Sequence, residues 1–247
     1  MNKSWMIITS LMITSGLIEL VYADNDFSHH SRLNSWTGLY AGVDAGVLFD
    51  KVQLSSQQLG FTNPSGHCNI SSDFSTFFPG IQLGYMHQFP NYFVSGIEAN
   101  VTFNTRQNDA LNCNCPINSE VVDGFSFRNQ MQNAIKGRAG RAWQWDNLVF
   151  LPYITAGLSF AHVGLTYTNE AGDYYSTNTT QTGGLIGAGI EWAIRQHWSL
   201  RAEYSYADYG KIIQMNLPSV YDLIDPNGKA SVNLSSNNVT ISINYWI

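Results

Sequence analysis

Charge is scarce in this 247-residue chain: Asp, Glu, Lys and Arg make up 12% of it, against about 25% in ordinary soluble domains. Its net charge of −6 excludes the basic surface that nucleic-acid binding requires, so no nucleic-acid partner is expected. Long apolar runs are missing too. Beyond residue 23 the longest candidate, 183–194, is interrupted by Glu191, so no segment there reads as a membrane-spanning helix. Glycine-rich phosphate loops, nucleophiles paired with a base and metal-ligand clusters are absent as motifs, and the sequence predicts no cofactor, metal or catalytic residue. Cysteine is scarce, with Cys68, Cys113 and Cys115 only. The C-x-C pair lacks further metal ligands. In an exported chain Cys68 is expected to pair with Cys113 or Cys115, leaving one thiol over.

What the chain does have starts with an export signal. Lys3 precedes an apolar stretch over 5–18 and the sequence Val21-Tyr22-Ala23, the layout of a signal peptide (1–23) cleaved after Ala23. A polar tail, 24–35, leads into one large domain over 36–247.

That domain is written in period two. In 183–210, Ile186, Ala188, Ile190, Trp192 and Ile194 share one parity; after a polar turn, Trp198, Leu200, Ala202, Tyr204 and Tyr206 share another. Two such runs make a β-hairpin. The same alternation recurs over 36–48, 74–89, 92–104, 129–143, 148–168 and 233–247. This gives eight strands whose connections alternate long and short, the rhythm of a transmembrane barrel with long external loops and short periplasmic turns. Strands of about a dozen residues suit a tilted membrane crossing.

Charge placement decides which face is which. With each strand phased by its apolar residues alone, Asp44, Glu98, Lys136, Arg138, Glu191, Arg201 and Glu203 fall on the opposite face, together with the glycines. A water-soluble barrel would put its charges outside. Here Trp, Tyr and Phe take the outer face, so the apolar side meets lipid and the charges fill the interior as a mutually paired core. Trp143, Trp192, Trp198 and Tyr245 are the expected interfacial anchors. The fold class is therefore an all-β, eight-stranded antiparallel up-and-down transmembrane β-barrel in a bacterial outer membrane.

Residues 35–49, SWTGLYAGVDAGVLF, resemble the first strand of the opacity-type surface antigens and related OmpA-like membrane domains. Residues 184–210, GLIGAGIEWAIRQHWSLRAEYSYADYG, are similar to their penultimate hairpin, with Glu203-Tyr204 and the closing Gly210. The resemblance implies a C-terminal strand read by the barrel-assembly machinery. The family usually ends on an aromatic; here Ile247 is last and Tyr245 stands in. No peptidoglycan-binding domain is expected after the last strand.

These readings predict a non-enzymatic surface antigen whose loops at 50–73, 105–128, 169–178 and 212–232 face outward. Such loops serve envelope integrity or adhesion to host surfaces. Its expected partners are outer-membrane lipid and lipopolysaccharide, the assembly machinery and a host surface ligand. One alternative is a small pore, gated by a salt bridge such as Arg138–Glu191 or Arg201–Glu98. Another is a lipid A-modifying enzyme using His197, Ser199 and Glu203. It is the weaker, because His197 falls in a periplasmic turn; His162 reads as a rim residue.

Overall fold

The computed structural model describes residues 36–57, 67–104, 109–112, 124–146, 148–168, 174–216 and 229–247. The signal peptide, the polar tail, Cys113, Cys115 and the side chain of Cys68 lie outside the described residues, and the disulfide expectation with them.

Ten strands form in chain order: β1 (Gly38–Gln57), β2 (His67–Gln88), β3 (Phe93–Phe103), β4 (Asp109–Asn112), β5 (Gly124–Arg141), β6 (Trp143–Trp145), β7 (Leu148–Thr168), β8 (Tyr174–Arg195), β9 (Trp198–Asn216) and β10 (Lys229–Trp246). They occupy eight tracks. β4 pairs with β5 on the side that β3 occupies lower down, and β6 pairs with β7 where β5 leaves off. The remaining pairings are antiparallel and close the ring β1-β2-β3-β5-β7-β8-β9-β10 through β10–β1. Closure removes the edges that an open sheet would expose.

The short connections gather at one end. In the first, Tyr92 takes a φ of 63° and its N–H donates to the Phe89 carbonyl at 3.0 Å. Asp146, with a φ of 54°, and Gln196-His197 form the other two.

Several strands run well past the expected ends, whereas β7 spans the expected 148–168 and β3 stays within 92–104. β1 continues beyond Leu48 to Gln57, β2 starts at His67 instead of Phe74, and β10 starts at Lys229 instead of Asn233. Much of the expected loops is therefore strand. The cause is a change of parity. On β1, Leu39, Val43 and Val47 point outward and are exposed, whereas Leu48, Val52 and Leu54, of the opposite parity, are buried. β10 does the same, with Val232 and Leu234 buried but Val239, Ile241 and Ile243 exposed. Nearer the long connections the outer face turns to Lys51, Gln53, Ser55, Ser71, Asp73, Thr180 and Thr182, all exposed. A membrane crossing needs about 9–11 residues per strand, and β1, β2, β7 and β8 have 20 to 22. One half of the barrel thus follows the rule for lipid outside, and the other half the rule for water outside.

The expected loop at 212–232 puts the end of β9 near Lys211. The strand continues to Asn216 by two bulges, at Tyr209 and Ile212, where β10 skips a partner. Gly210, at a φ of 58°, supplies the conformation the bulge needs, and both bulged side chains are buried.

Candidate functional site

All seven ionisable residues of the expected interior are buried, and six of them form one connected network at mid-height. Glu98 on β3 is its hub. It pairs with Arg201, with Arg138 Nη1 at 3.4 Å and with Lys136 Nζ at 3.1 Å, and accepts a hydrogen bond from the Tyr40 hydroxyl. Glu191 takes Arg138 Nη2 at 2.7 Å and the Asn244 amide at 2.9 Å. Glu203 takes Lys136 and, at 2.6 Å, the Tyr153 hydroxyl. Arg201 further donates to Gln82 and to Ser242 at 3.3 Å. The Arg138 guanidinium lies 3.9 Å from the Tyr153 ring centre and 5.9 Å from that of Tyr40, close enough for cation–π attraction.

Glycine makes this geometry reachable. Register places Tyr40, Gly84 and Glu98 in one row across β1, β2 and β3, and Tyr153, Gly189 and Glu203 in one row across β7, β8 and β9. In each row the tyrosine passes over the glycine and reaches the carboxylate on the next strand. A Cβ on either glycine would overlap the phenol.

Asp44 stands apart from the network. It is 6% exposed, and neither carboxylate oxygen has a hydrogen-bond partner among the described residues. Sequence reasoning also missed Asp50, which falls in an expected loop. The structure buries it on β1, where it accepts from Asn129 at 2.9 Å and from Ser236. Tyr40, Gln82, Ser242 and Asn244 were overlooked as well; their inward parity was the available signal.

The interior is layered, not polar throughout. Toward the short turns, Trp36, Tyr40, Met86, Val94, Leu151 and Trp246 pack into one apolar cluster. Toward the long connections, Val52, Leu54, Phe127, Val163, Leu165 and Leu234 belong to another. The charged belt is held between them. Outside, Trp143, Trp198 and Tyr245 are exposed and Trp192 half-buried near the short turns, with the Trp198 and Tyr245 rings 5.1 Å apart.

The three residues of the enzymatic alternative do not converge. Ser199 donates to Glu191 and accepts from Trp246 Nε1 at 3.0 Å, inside the barrel. His197 Nδ1 sits at the turn, 2.9 Å from the Trp246 carbonyl oxygen. His162 contacts Thr180 at 2.9 Å. Among the described residues no group of His, Cys, Asp and Glu gathers as a metal cluster.

Residues 28–245 match the family model of the outer membrane protein beta-barrel domain. The chain belongs to this family. As an outer-membrane barrel, it turns the exposed apolar band to lipid and lies in the bacterial outer membrane. Among its relatives are the 31 kDa outer-membrane immunogenic proteins of Brucella melitensis and Brucella suis. Each is 28% identical over 185 residues, covering 72% of this chain and 72% of the relative. The crystal structure of the outer membrane protein OprG from Pseudomonas aeruginosa shares the fold. Its TM-score is 0.51 at 14% identity, with 85% of this chain and 97% of that one covered.

Proposed function

We propose that this outer-membrane barrel is a non-enzymatic surface antigen whose work is done by its external loops in contact with host surfaces. The observation that carries this reading is the closed interior. A charged belt locked by ion pairs lies between two apolar clusters, which leaves the outer rim as the part free to act. The extended upper half supports it further, since a rigid wall presents the loops away from the lipid. The relatives named for being immunogenic are consistent with such exposure. On this reading the lower band contacts lipid and lipopolysaccharide, and β10 is the strand the assembly machinery recognises.

A deletion strain, complemented with the full chain, tests it. Host-cell attachment should fall while resistance to detergent is retained; loss of detergent resistance with attachment unchanged would transfer the role to envelope integrity. Purified protein in planar bilayers should give no discrete conductance steps, and regular steps would favour the gated pore instead.

A further inference from the structure

The network leaves one acid over. At mid-height the inward carboxylates are Asp44, Glu98, Glu191 and Glu203, and the inward cations Lys136, Arg138 and Arg201. Each glutamate has at least one cation, so the uncompensated charge is that of Asp44. A cavity of about 20 Å³ opens beside it, between the belt and the upper apolar cluster. That volume suits about one water-sized occupant. The same cavity is lined by Asn100 on β3, Asn133 on β5 and Asn238 on β10, and each keeps a buried amide oxygen without a hydrogen-bond donor. The unsatisfied side-chain oxygens of the lining residues thus come from four strands: two from Asp44 and one each from Asn100, Asn133 and Asn238.

We propose that this cavity is a binding site for one monovalent alkali cation, with Asp44 as its charged ligand and Asn100 and Asn238 as neutral ones. Oxygen-only donors select a hard cation. The single unpaired carboxylate sets the charge: one positive charge neutralises the belt, and a divalent ion would leave it positive. The carboxylate residue Glu203 also lines the cavity, as do two cationic side chains, Lys136 and Arg201. Both cations are turned to other acceptors, Lys136 to Glu98 and Glu203, and Arg201 to Glu98, Gln82 and Ser242. The Asp44 side chain itself folds over Gly80, where a Cβ would overlap its carboxylate. The row Asp44–Gly80–Thr102 brings it toward β3.

The full chain, refolded in detergent, should unfold at higher urea in sodium or potassium chloride than in tetramethylammonium chloride of equal ionic strength. The effect should saturate with cation concentration. Asp44→Asn should abolish it while still folding, because the amide needs no counter-charge. Asn100→Ala and Asn238→Ala should each weaken the apparent affinity about tenfold without changing the charge. In crystals soaked with rubidium, anomalous density should lie between Asp44 and Asn238 and vanish in D44N. An identical cation response in the parent and D44N would overturn the proposal. So would a rubidium-free cavity, the result expected if a water molecule bridges Asp44 to the unpartnered Nε of Arg201.

Discussion

The Tyr153 hydroxyl donates to Glu203 at 2.6 Å from two strands away, passing over Gly189 on the strand between them. Tyr40, Gly84 and Glu98 repeat the arrangement elsewhere on the barrel wall. The two tyrosines come together on Arg138, so the glycines set the shape of the charged belt as much as the charges do.

Gly189→Ala should therefore destabilise the barrel by about 1–3 kcal/mol through overpacking against Tyr153. Gly184→Ala, on the outer face of the same strand with nothing within 4 Å of a new Cβ, should stay within about 0.5 kcal/mol of the parent. Urea midpoints of the two variants in detergent micelles give the comparison, and equal shifts would refute the role given to the row.

Removing one partner of a buried pair costs more than the pair contributes, because the other charge is stranded. Arg138→Met leaves Glu191 without its cation and should cost about 3–5 kcal/mol. Adding Glu191→Gln should restore part of that loss. A double mutant as unstable as the sum of the singles would mean that the 2.7 Å contact carries no coupling.

The change of parity along β1 makes a prediction that depends on height. Val43, exposed between Ile81 and Ile243 in the apolar band, should cost about 2–4 kcal/mol as Val43→Arg, the value for a cation near the bilayer centre. Gln53→Arg, on the same strand and outer face but above the band, should be near neutral. Folding titrations into lipid vesicles would separate them.

Leu54 points inward above the charged belt. Leu54→Asp should open the upper half and leave the membrane-embedded half intact. Limited proteolysis of the protein in vesicles should then cut near 50–57 while a protected remnant persists. Complete digestion would show that the halves do not unfold separately.

Much of this was legible in the sequence, and the reason is specific. Outward Val43, Ile97, Ile154 and Ile241 set the phase of their strands without reference to charge, and Glu98, Lys136 and Arg201 then followed by parity. The pairings themselves needed register. Glu191 lies directly opposite Arg201 on the neighbouring strand, yet is bonded by Arg138 from beyond β7. Much of the upper half reads as loop in the sequence because its apolar residues break the rule, apolar outward, that holds in the lower half. Val52, Leu54, Val232 and Leu234 keep a period of two but in the opposite phase, and Asp50 was lost with them. Trp246, packed edge-on against Trp36 at 5.4 Å, shares the inward parity that marked the polar core, so its aromatic character hid it.

The water-facing wall of the upper half bears on how the barrel reaches its final position. In the orientation proposed above, the end with the long connections leads into the bilayer, and each outward side chain of the upper half has to cross the hydrocarbon before the apolar band seats. A charged residue at the centre of a bilayer costs about 2.5–3.5 kcal/mol on insertion scales. The described wall carries hydroxyls and amides at Gln53, Ser55, Ser71, Asn178, Thr180 and Thr182, far cheaper in transit than its charges at Lys51, Asp73 and Asp208. On these terms each charge added to that wall raises the barrier to insertion while leaving the finished fold undisturbed.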